Sequence, residues 1–172
     1  MCALATSGVL AAGARSAGAQ KPAAAASPAA TAATAAAVHA TLTRAADLAD
    51  GRMVLLLQVE ATGLGLGSYQ GAVTFDPTQV TVDSAVAPSG DGSRLVNAND
   101  AAKGLVRYAG YTTSSFRTGD AVRFVVRVKS LDAAKFATTL DVAGDVNGTA
   151  IAKTLLHGSA GVRPSRGTKP AK

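Results

Sequence analysis

The chain has 172 residues, a length that accommodates one domain and its flanking segments. Its formal net charge is +6, but residues 38–158 hold all eleven acidic residues and an equal number of basic ones, so this span is neutral. Nucleic-acid binding needs basic side chains concentrated on one surface, and this distribution argues against it. The only cysteine, Cys2, allows neither an internal disulfide nor a Cys-based zinc site.

The N-terminal residues 1–19 are predicted to be a signal peptide. A run of small and apolar residues, 3–14, leads to Ala17-Gly18-Ala19, the small-residue pattern that signal peptidase accepts. The run is too short to be a permanent transmembrane helix. It lacks a preceding Lys or Arg, which a start codon assigned too far downstream would explain, and Arg15 follows it. We expect a secreted, periplasmic or cell-surface protein, the alternative being an N-terminal segment that is merely disordered.

Two further segments flank the predicted domain. Residues 20–37 form an Ala/Pro/Thr-rich stretch in which Pro22 and Pro28 interrupt any helix, and they are predicted to be a linker. Residues 159–172 are basic, contain Pro and Gly and show no periodicity, so we predict a disordered tail. The folded domain is therefore expected to span residues 38–158.

Within this span the hydrophobic period is two, which predicts strands with one buried and one solvated face. The clearest run places Val122, Phe124 and Val126 on one face, opposite Arg123 and Arg127. The run at 105–111 alternates without showing which face is inward. The expected strands, in chain order, are Val38–Arg44, Leu55–Glu60, Tyr69–Phe75, Val80–Val86 (with Val80, Val82 and Val86 on one face), Arg94–Asn97, Leu105–Tyr111, Val122–Lys129, Thr138–Ala143 and Thr149–Leu155.

Turn signals separate these strands. Asp76-Pro77 ends one of them, because Pro cannot donate to a ladder, and Asn147-Gly148 predicts a hairpin, because both residues tolerate positive φ. Only Leu131–Phe136 has the pattern of a helical turn. Eight or nine short strands at this spacing predict an all-β sandwich or jelly roll.

Three stretches in this order resemble the cohesin module of the carbohydrate-binding β-sandwich superfamily. Gly51–Val59 is similar to the family's opening turn and aliphatic strand. Ser68–Val82 is similar to its strand pair joined through an aromatic-Asp-Pro corner, here Phe75-Asp76-Pro77. The family's later strands are similar to Gly104–Thr112, followed by Gly119-Asp120 and Val122–Ser130. The resemblance covers residues 38–157.

The resemblance implies a nine-stranded β-sandwich with jelly-roll topology, a secreted setting and no catalysis. Cohesins bind dockerin domains through one sheet face, so it also implies a protein partner in polysaccharide-related assemblies. A polysaccharide ligand is the alternative partner, and it would need two or three coplanar aromatic rings on the surface. A structural component of the cell envelope, assembled through its tails, is an alternative function.

No pattern of residues predicts an enzyme, a cofactor or a metal site. His39 and His157 lie near opposite ends of the predicted domain, and each is expected to be an exposed residue at a strand terminus. Asp145-Val146-Asn147-Gly148 begins like a calcium loop but has Leu156 where a bidentate Glu is required, so we expect a hairpin turn. The glycine-rich 63–67 lacks the Lys-Ser/Thr of a phosphate loop and is expected to connect two strands.

The residues proposed to bind a partner are aromatics and amides expected to be exposed on one sheet. Aromatic rings grip sugars or anchor a protein partner, and amides give directional hydrogen bonds. The alternative is that Tyr69 and one of the other two tyrosines fill the core. The candidates are Tyr69, Asn97, Asn99, Tyr108, Tyr111 and Phe116.

Overall fold

The computed structural model describes residues 35–90 and 92–164 of the chain. These residues form nine β-strands and two short 3-10 helices, Ala101–Lys103 and Lys153–Leu155. The all-β class predicted from the alternation is thereby confirmed. The strands are β1 (Ala37–Asp47), β2 (Arg52–Thr62), β3 (Leu66–Thr74), β4 (Val80–Val86), β5 (Ser93–Asn97), β6 (Leu105–Phe116), β7 (Thr118–Val128), β8 (Ala137–Gly144) and β9 (Leu156–His157).

The strands make two sheets. Sheet 1 has the order β4-β7-β2-β1-β9, and sheet 2 has the order β5-β6-β3-β8. Neighbouring strands are antiparallel except β1 and β9, which are parallel. Apart from the β1–β2 and β5–β6 connections, every connection between consecutive strands passes from one sheet to the other. This winding confirms the predicted nine-stranded jelly-roll sandwich.

The core lies between the two sheets and consists of aliphatic and aromatic side chains. Successive residues of a strand point to opposite faces, so every second residue of β2 and β7 is buried. The inward residues of sheet 1 include Leu55, Leu57, Val59, Val122, Phe124 and Val126, as the sequence predicted. Sheet 2 contributes residues such as Val73 and Val106 from the other side. Removal of this apolar surface from water is the main favourable contribution to folding.

The alternation is interrupted in β4. The sequence placed Val86 on the same face as Val80 and Val82, but Val86 is 50% exposed. The pairing of β4 with β7 shifts register between Val82 and Ser84. An extra residue at such a bulge reverses the faces of every residue beyond it, so the prediction for Val86 was wrong.

The segment after β8 differs from the predicted strand Thr149–Leu155. Ala150 makes one isolated bridge to Gly144, and residues 153–155 then form a 3-10 helix. The chain leaves the edge of β8 here and crosses to sheet 1, where Leu156 pairs with Val38 in β9. A strand therefore cannot continue along β8, and the prediction for this segment was wrong.

Residues 159–164, which the sequence assigned to the tail, are hydrogen-bonded to the sandwich. Thr138, a buried polar side chain of β8, donates from its hydroxyl to the Ala40 carbonyl of β1 at 2.9 Å and accepts from the Ser159 amide at 2.7 Å. Further along, Arg163 bridges to Thr43 of β1. The C-terminal segment thus links the two sheets at one edge. The rest of the predicted tail, residues 165–172, lies outside the described residues, and so do the predicted signal peptide and most of the predicted linker.

Two adjacent leucines of β2 test this packing. Leu57 is fully buried, whereas Leu56 lies on the outer face and is partly exposed. We expect Leu57→Ala to lower the free energy of unfolding by about 2–5 kcal/mol, because it removes buried methyl groups and leaves a cavity. Leu56→Ala is the matched control and should cost clearly less. Urea denaturation of both variants measures the difference, and equal losses would contradict the assigned faces.

Candidate functional site

The outer face of sheet 2 carries large apolar side chains that the described part of the chain leaves uncovered. Leu95 of β5, Tyr111 of β6 and Val142 of β8 are 69%, 59% and 57% exposed. Single exposed apolar residues are ordinary on protein surfaces, but a contiguous group is typical of an interaction site. We call this group, with Gln70 and Ala109 between them, the sheet 2 patch.

The strand register places the patch in two adjacent rows. Leu95 pairs with Ala109, Ala109 with Gln70, and Gln70 with Val142, so one row crosses all four strands. Strands lie about 4.7–4.9 Å apart, and the row is therefore about 14 Å long. Tyr111 stands in the next row, where its partners are Ser93 and Ser68. The patch is thus a continuous strip with one projecting ring.

The patch is shallow. Its side chains surround a depression of about 250 Å³ that is open to solvent. Pockets for small molecules are usually concave and hold about 300–1,000 Å³. A shallow apolar strip on a sheet is better suited to the surface of a macromolecule than to an enclosed small ligand.

Val142 reaches this face because of a bulge in β8. Strict alternation would put Val142 on the same face as Leu140, which is buried. The pairing of β3 with β8 instead shifts register between Gln70 and Gly71, and Asp141 and Val142 are both exposed. Bulges commonly redirect side chains beside functional sites. Sequence reasoning missed Val142 because no local signal marks this bulge.

Two of the residues proposed to bind a partner, Tyr69 and Tyr108, lie in the core, so their expected exposure was wrong. The alternative, in which Tyr69 and one other tyrosine fill the core, is confirmed. They are 7% and 2% exposed, on the inner faces of β3 and β6. Each lies opposite a glycine of the neighbouring strand, Tyr69 opposite Gly110 and Tyr108 opposite Gly71. A Cβ atom on either glycine would collide with the facing tyrosine. The glycines therefore make room for rings that lie across the adjacent strand.

The two buried hydroxyl groups differ in their partners. Tyr108 donates a hydrogen bond of 2.7 Å to the carbonyl of Thr139. The hydroxyl of Tyr69 has no hydrogen-bond partner among the described residues. Burial raises the pKa of both tyrosines, and for Tyr69 the nearby Arg94 guanidinium partly opposes this rise. Both hydroxyl groups therefore lie inside the sandwich and not on its surface.

Of the remaining candidates, which are Tyr111, Asn97, Asn99 and Phe116, some lie on the outer face of sheet 2 and others do not. Tyr111 is part of it, and Asn97 is exposed at the end of β5, opposite Arg107 in the adjoining row. The side-chain oxygen of Asn97 accepts a hydrogen bond of 3.0 Å from the backbone N–H of Asn99, so this side chain is engaged in the turn that follows β5. Phe116 is half-buried, with its ring centroid 6.0 Å from that of Tyr69. The structure therefore brings only Tyr111 and Asn97 to this face.

The loop that resembles the start of a calcium site is a turn. The carboxylate of Asp145 accepts hydrogen bonds from the backbone amides of Asn147 at 2.9 Å and Thr149 at 2.8 Å. These bonds lower the pKa of Asp145, with the Thr149 amide as the main cause. Over residues 35–90 and 92–164, no group of three or more His, Cys, Asp or Glu is arranged to hold a metal ion. The same residues include no helix long and apolar enough to cross a membrane.

Comparison with known proteins identifies this sandwich. No protein-family model matches the sequence, and no curated protein matches it. Among solved structures, a cohesin module of a Clostridium perfringens family 33 glycoside hydrolase is 11% identical, with a TM-score of 0.55 over 76% of this chain and all of that module. A non-cellulosomal cohesin from Archaeoglobus fulgidus is 12% identical, with a TM-score of 0.52 over 76% of this chain and 91% of that one.

A third solved structure is the sixth cohesin of Acetivibrio cellulolyticus scaffoldin B, in complex with a Cel5 dockerin mutant. It is 16% identical, with a TM-score of 0.52 over 77% of this chain and 100% of that one. The chain is thus a two-sheet jelly roll with one open apolar face. Its fold is cohesin-like, as the motifs of the sequence indicated.

The burial of Tyr108 predicts a loss of stability at alkaline pH. The unfolded chain ionises this tyrosine near its ordinary pKa of 10.0, whereas the folded protein keeps it protonated. Stability should therefore be fully present below this value and fall as the pH rises above it. Tyr108→Phe should cost about 1 kcal/mol at neutral pH through the lost hydrogen bond, and its alkaline loss should be smaller.

Urea denaturation at a series of pH values from neutral to alkaline measures both effects. Tyr111→Phe, at the exposed tyrosine of the patch, is the matched control. An identical alkaline loss in wild type and in Tyr108→Phe would contradict the buried position of Tyr108.

Proposed function

We propose that the protein is a non-catalytic binding module that recognises a dockerin-like protein through the outer face of sheet 2. The observation that carries this proposal is the row Leu95, Ala109, Gln70 and Val142 with Tyr111 beside it. Leu95, Tyr111 and Val142 are each more than half exposed, although contact between apolar surface and water is unfavourable. A partner that covers this strip would remove that surface from water.

The free energy available from burying the three exposed side chains is large enough for a specific interface. Complete burial of a Leu, Val or aromatic side chain contributes about 1.5–3 kcal/mol, so these three residues can serve as the anchors of an interface. The surroundings are polar, as the rim of an interface usually is. In the adjoining row Arg107 forms an ion pair with Asp100 at 3.4 Å, and next to Val142 in β8 Asp141 is exposed. An apolar centre with a charged rim supports a protein partner.

The distribution of aromatic rings favours a protein over a polysaccharide. The chain has three Tyr, four Phe and no Trp, and all seven aromatics lie in the described residues. Tyr111 is the one broadly exposed ring among them, Phe116 is half-buried and the others are buried. A flat sugar platform requires two or three coplanar exposed rings, which this face does not offer.

The composition of the patch supports binding without catalysis. Its members are aliphatic, amide and hydroxyl side chains, and it contains no carboxylate or imidazole that could act as a general acid or base. Asp141, next to Val142 in β8, is exposed to solvent. This chemistry is suited to recognition, and the dockerin class is inferred from the cohesin-like fold.

We propose further that the protein is exported. Support comes from the sequence of residues 1–19, where a run of small residues ends at Ala17-Gly18-Ala19. Fractionation of the native cells, followed by N-terminal sequencing of the protein from the medium or envelope, tests this. A mature N terminus at Gln20 is the expected result, and recovery of the intact chain from the cytoplasm would contradict export.

The binding proposal is tested with purified dockerin modules and charge substitutions on the patch. We expect at least one dockerin to bind the full-length protein by titration calorimetry. Leu95→Arg and Val142→Arg should each weaken this binding at least tenfold, since a buried unpaired charge at an interface costs about 2 kcal/mol or more. Val86→Arg is the matched control, because Val86 is 50% exposed but lies on sheet 1.

A glycan array run in parallel decides between the two classes of partner. Equal loss of dockerin binding in Val86→Arg and in the patch variants would show that the sheet 2 patch is not the interface. Saturable glycan binding that is lost in Tyr111→Ala, with no dockerin bound, would show that the ligand is a polysaccharide.

A further inference from the structure

The two histidines of the chain stand side by side on the outer face of sheet 1. His39 of β1 and His157 of β9 are directly paired in the parallel β1–β9 ladder. Their ring centroids are 4.9 Å apart and their planes differ by 22°. The sequence placed them near opposite ends of the domain and gave no reason to expect contact. Return of the C-terminal segment to β1 brings them together.

The surroundings of the pair leave it open to a cation from solvent. Both histidines are exposed, and the residue opposite His39 on its other side is Glu60 of β2. Glu60 is also exposed and forms no salt bridge with any described residue. The row continues to Thr118 of β7 and contains no Lys or Arg. Two imidazoles and one carboxylate therefore lie in line.

Imidazole is the commonest protein ligand for transition metals. Two imidazoles on one ion place their nitrogens about 3–3.5 Å apart, because each Zn–N distance is about 2.0–2.1 Å. The ladder already holds the backbones of His39 and His157 at neighbouring positions, so the two imidazoles are close together before an ion binds. Such preorganisation reduces the entropic cost of binding.

We propose that His39 and His157 form a two-imidazole site for a nitrogen-preferring divalent transition metal such as Zn²⁺. Glu60 adds negative charge to the row, and solvent completes the coordination. Among the described residues no third His, Cys, Asp or Glu is placed to bind the same ion, so the protein would supply two ligands. The site lies on sheet 1 and is independent of the proposed partner face on sheet 2.

A metal at this site would also stabilise the folded state. β9 is only two residues long, yet it joins the C-terminal segment to β1. An ion bound to both histidines would cross-link these strands in the folded state alone, since the unfolded chain separates the two residues. Binding to the folded state stabilises it by mass action.

Calorimetry on the untagged full-length chain tests the site. Cys2→Ser serves as the background, because Cys2 is the chain's only thiol ligand. We expect one Zn²⁺ per chain, tighter binding of Cu²⁺ and no binding of Mg²⁺. His39→Gln and His157→Gln should each weaken Zn²⁺ binding by about tenfold to a hundredfold, since each removes the chelate. Thr41→Gln, on the same strand, is the matched control and should bind like the parent.

Two further measurements separate a shared ion from two independent ones. The chain has only two histidines, so a histidine-selective NMR spectrum should show both imidazoles responding together and saturating at one Zn²⁺ per chain. Zn²⁺ should raise the thermal midpoint of the parent and of Thr41→Gln, but of neither histidine variant. Unchanged affinity in either single variant, or separate saturation of the two imidazoles, would overturn the proposal.

Discussion

The packing of alternate residues between two sheets is the constraint on which the rest of this structure depends. In a strand, burial of one set of side chains forces the other set outward. The inner faces are filled by aliphatic residues of β2 and β7 and by two tyrosines, one from β3 and one from β6. The other set of side chains is then exposed on the outer faces, and on sheet 2 this set includes Leu95 and Tyr111.

Departures from this alternation determine which side chains reach the surface. The bulge in β8 exposes Val142, and the one in β4 exposes Val86. In sheet 2, the Gly71–Tyr108 and Gly110–Tyr69 pairs let large rings fold over the neighbouring strand. A Cβ atom at either glycine would collide with the tyrosine that faces it. These two glycines therefore determine how the buried tyrosine rings pack on the inner face of sheet 2.

The C-terminal segment closes one edge of the sandwich and adds a second surface. Thr138 hydrogen-bonds both to β1 and to residue 159, so the two sheets and the returning chain are joined at one buried hydroxyl. Beyond this point β9 pairs with β1 and places His157 beside His39. The two sheets thus offer different chemistry: an apolar strip on sheet 2 and a pair of imidazoles on sheet 1.

The sequence by itself determined the all-β class, the buried faces of β2 and β7 and, through three ordered motifs, the cohesin-like fold. Period-two patterns such as Leu55–Val59 suffice for this, because inward and outward residues alternate within a single strand. Only the tertiary structure decided which tyrosines are exposed, that Val142 joins the patch and that His39 meets His157. These features depend on bulges and on register between strands far apart in the chain, which a local pattern does not encode.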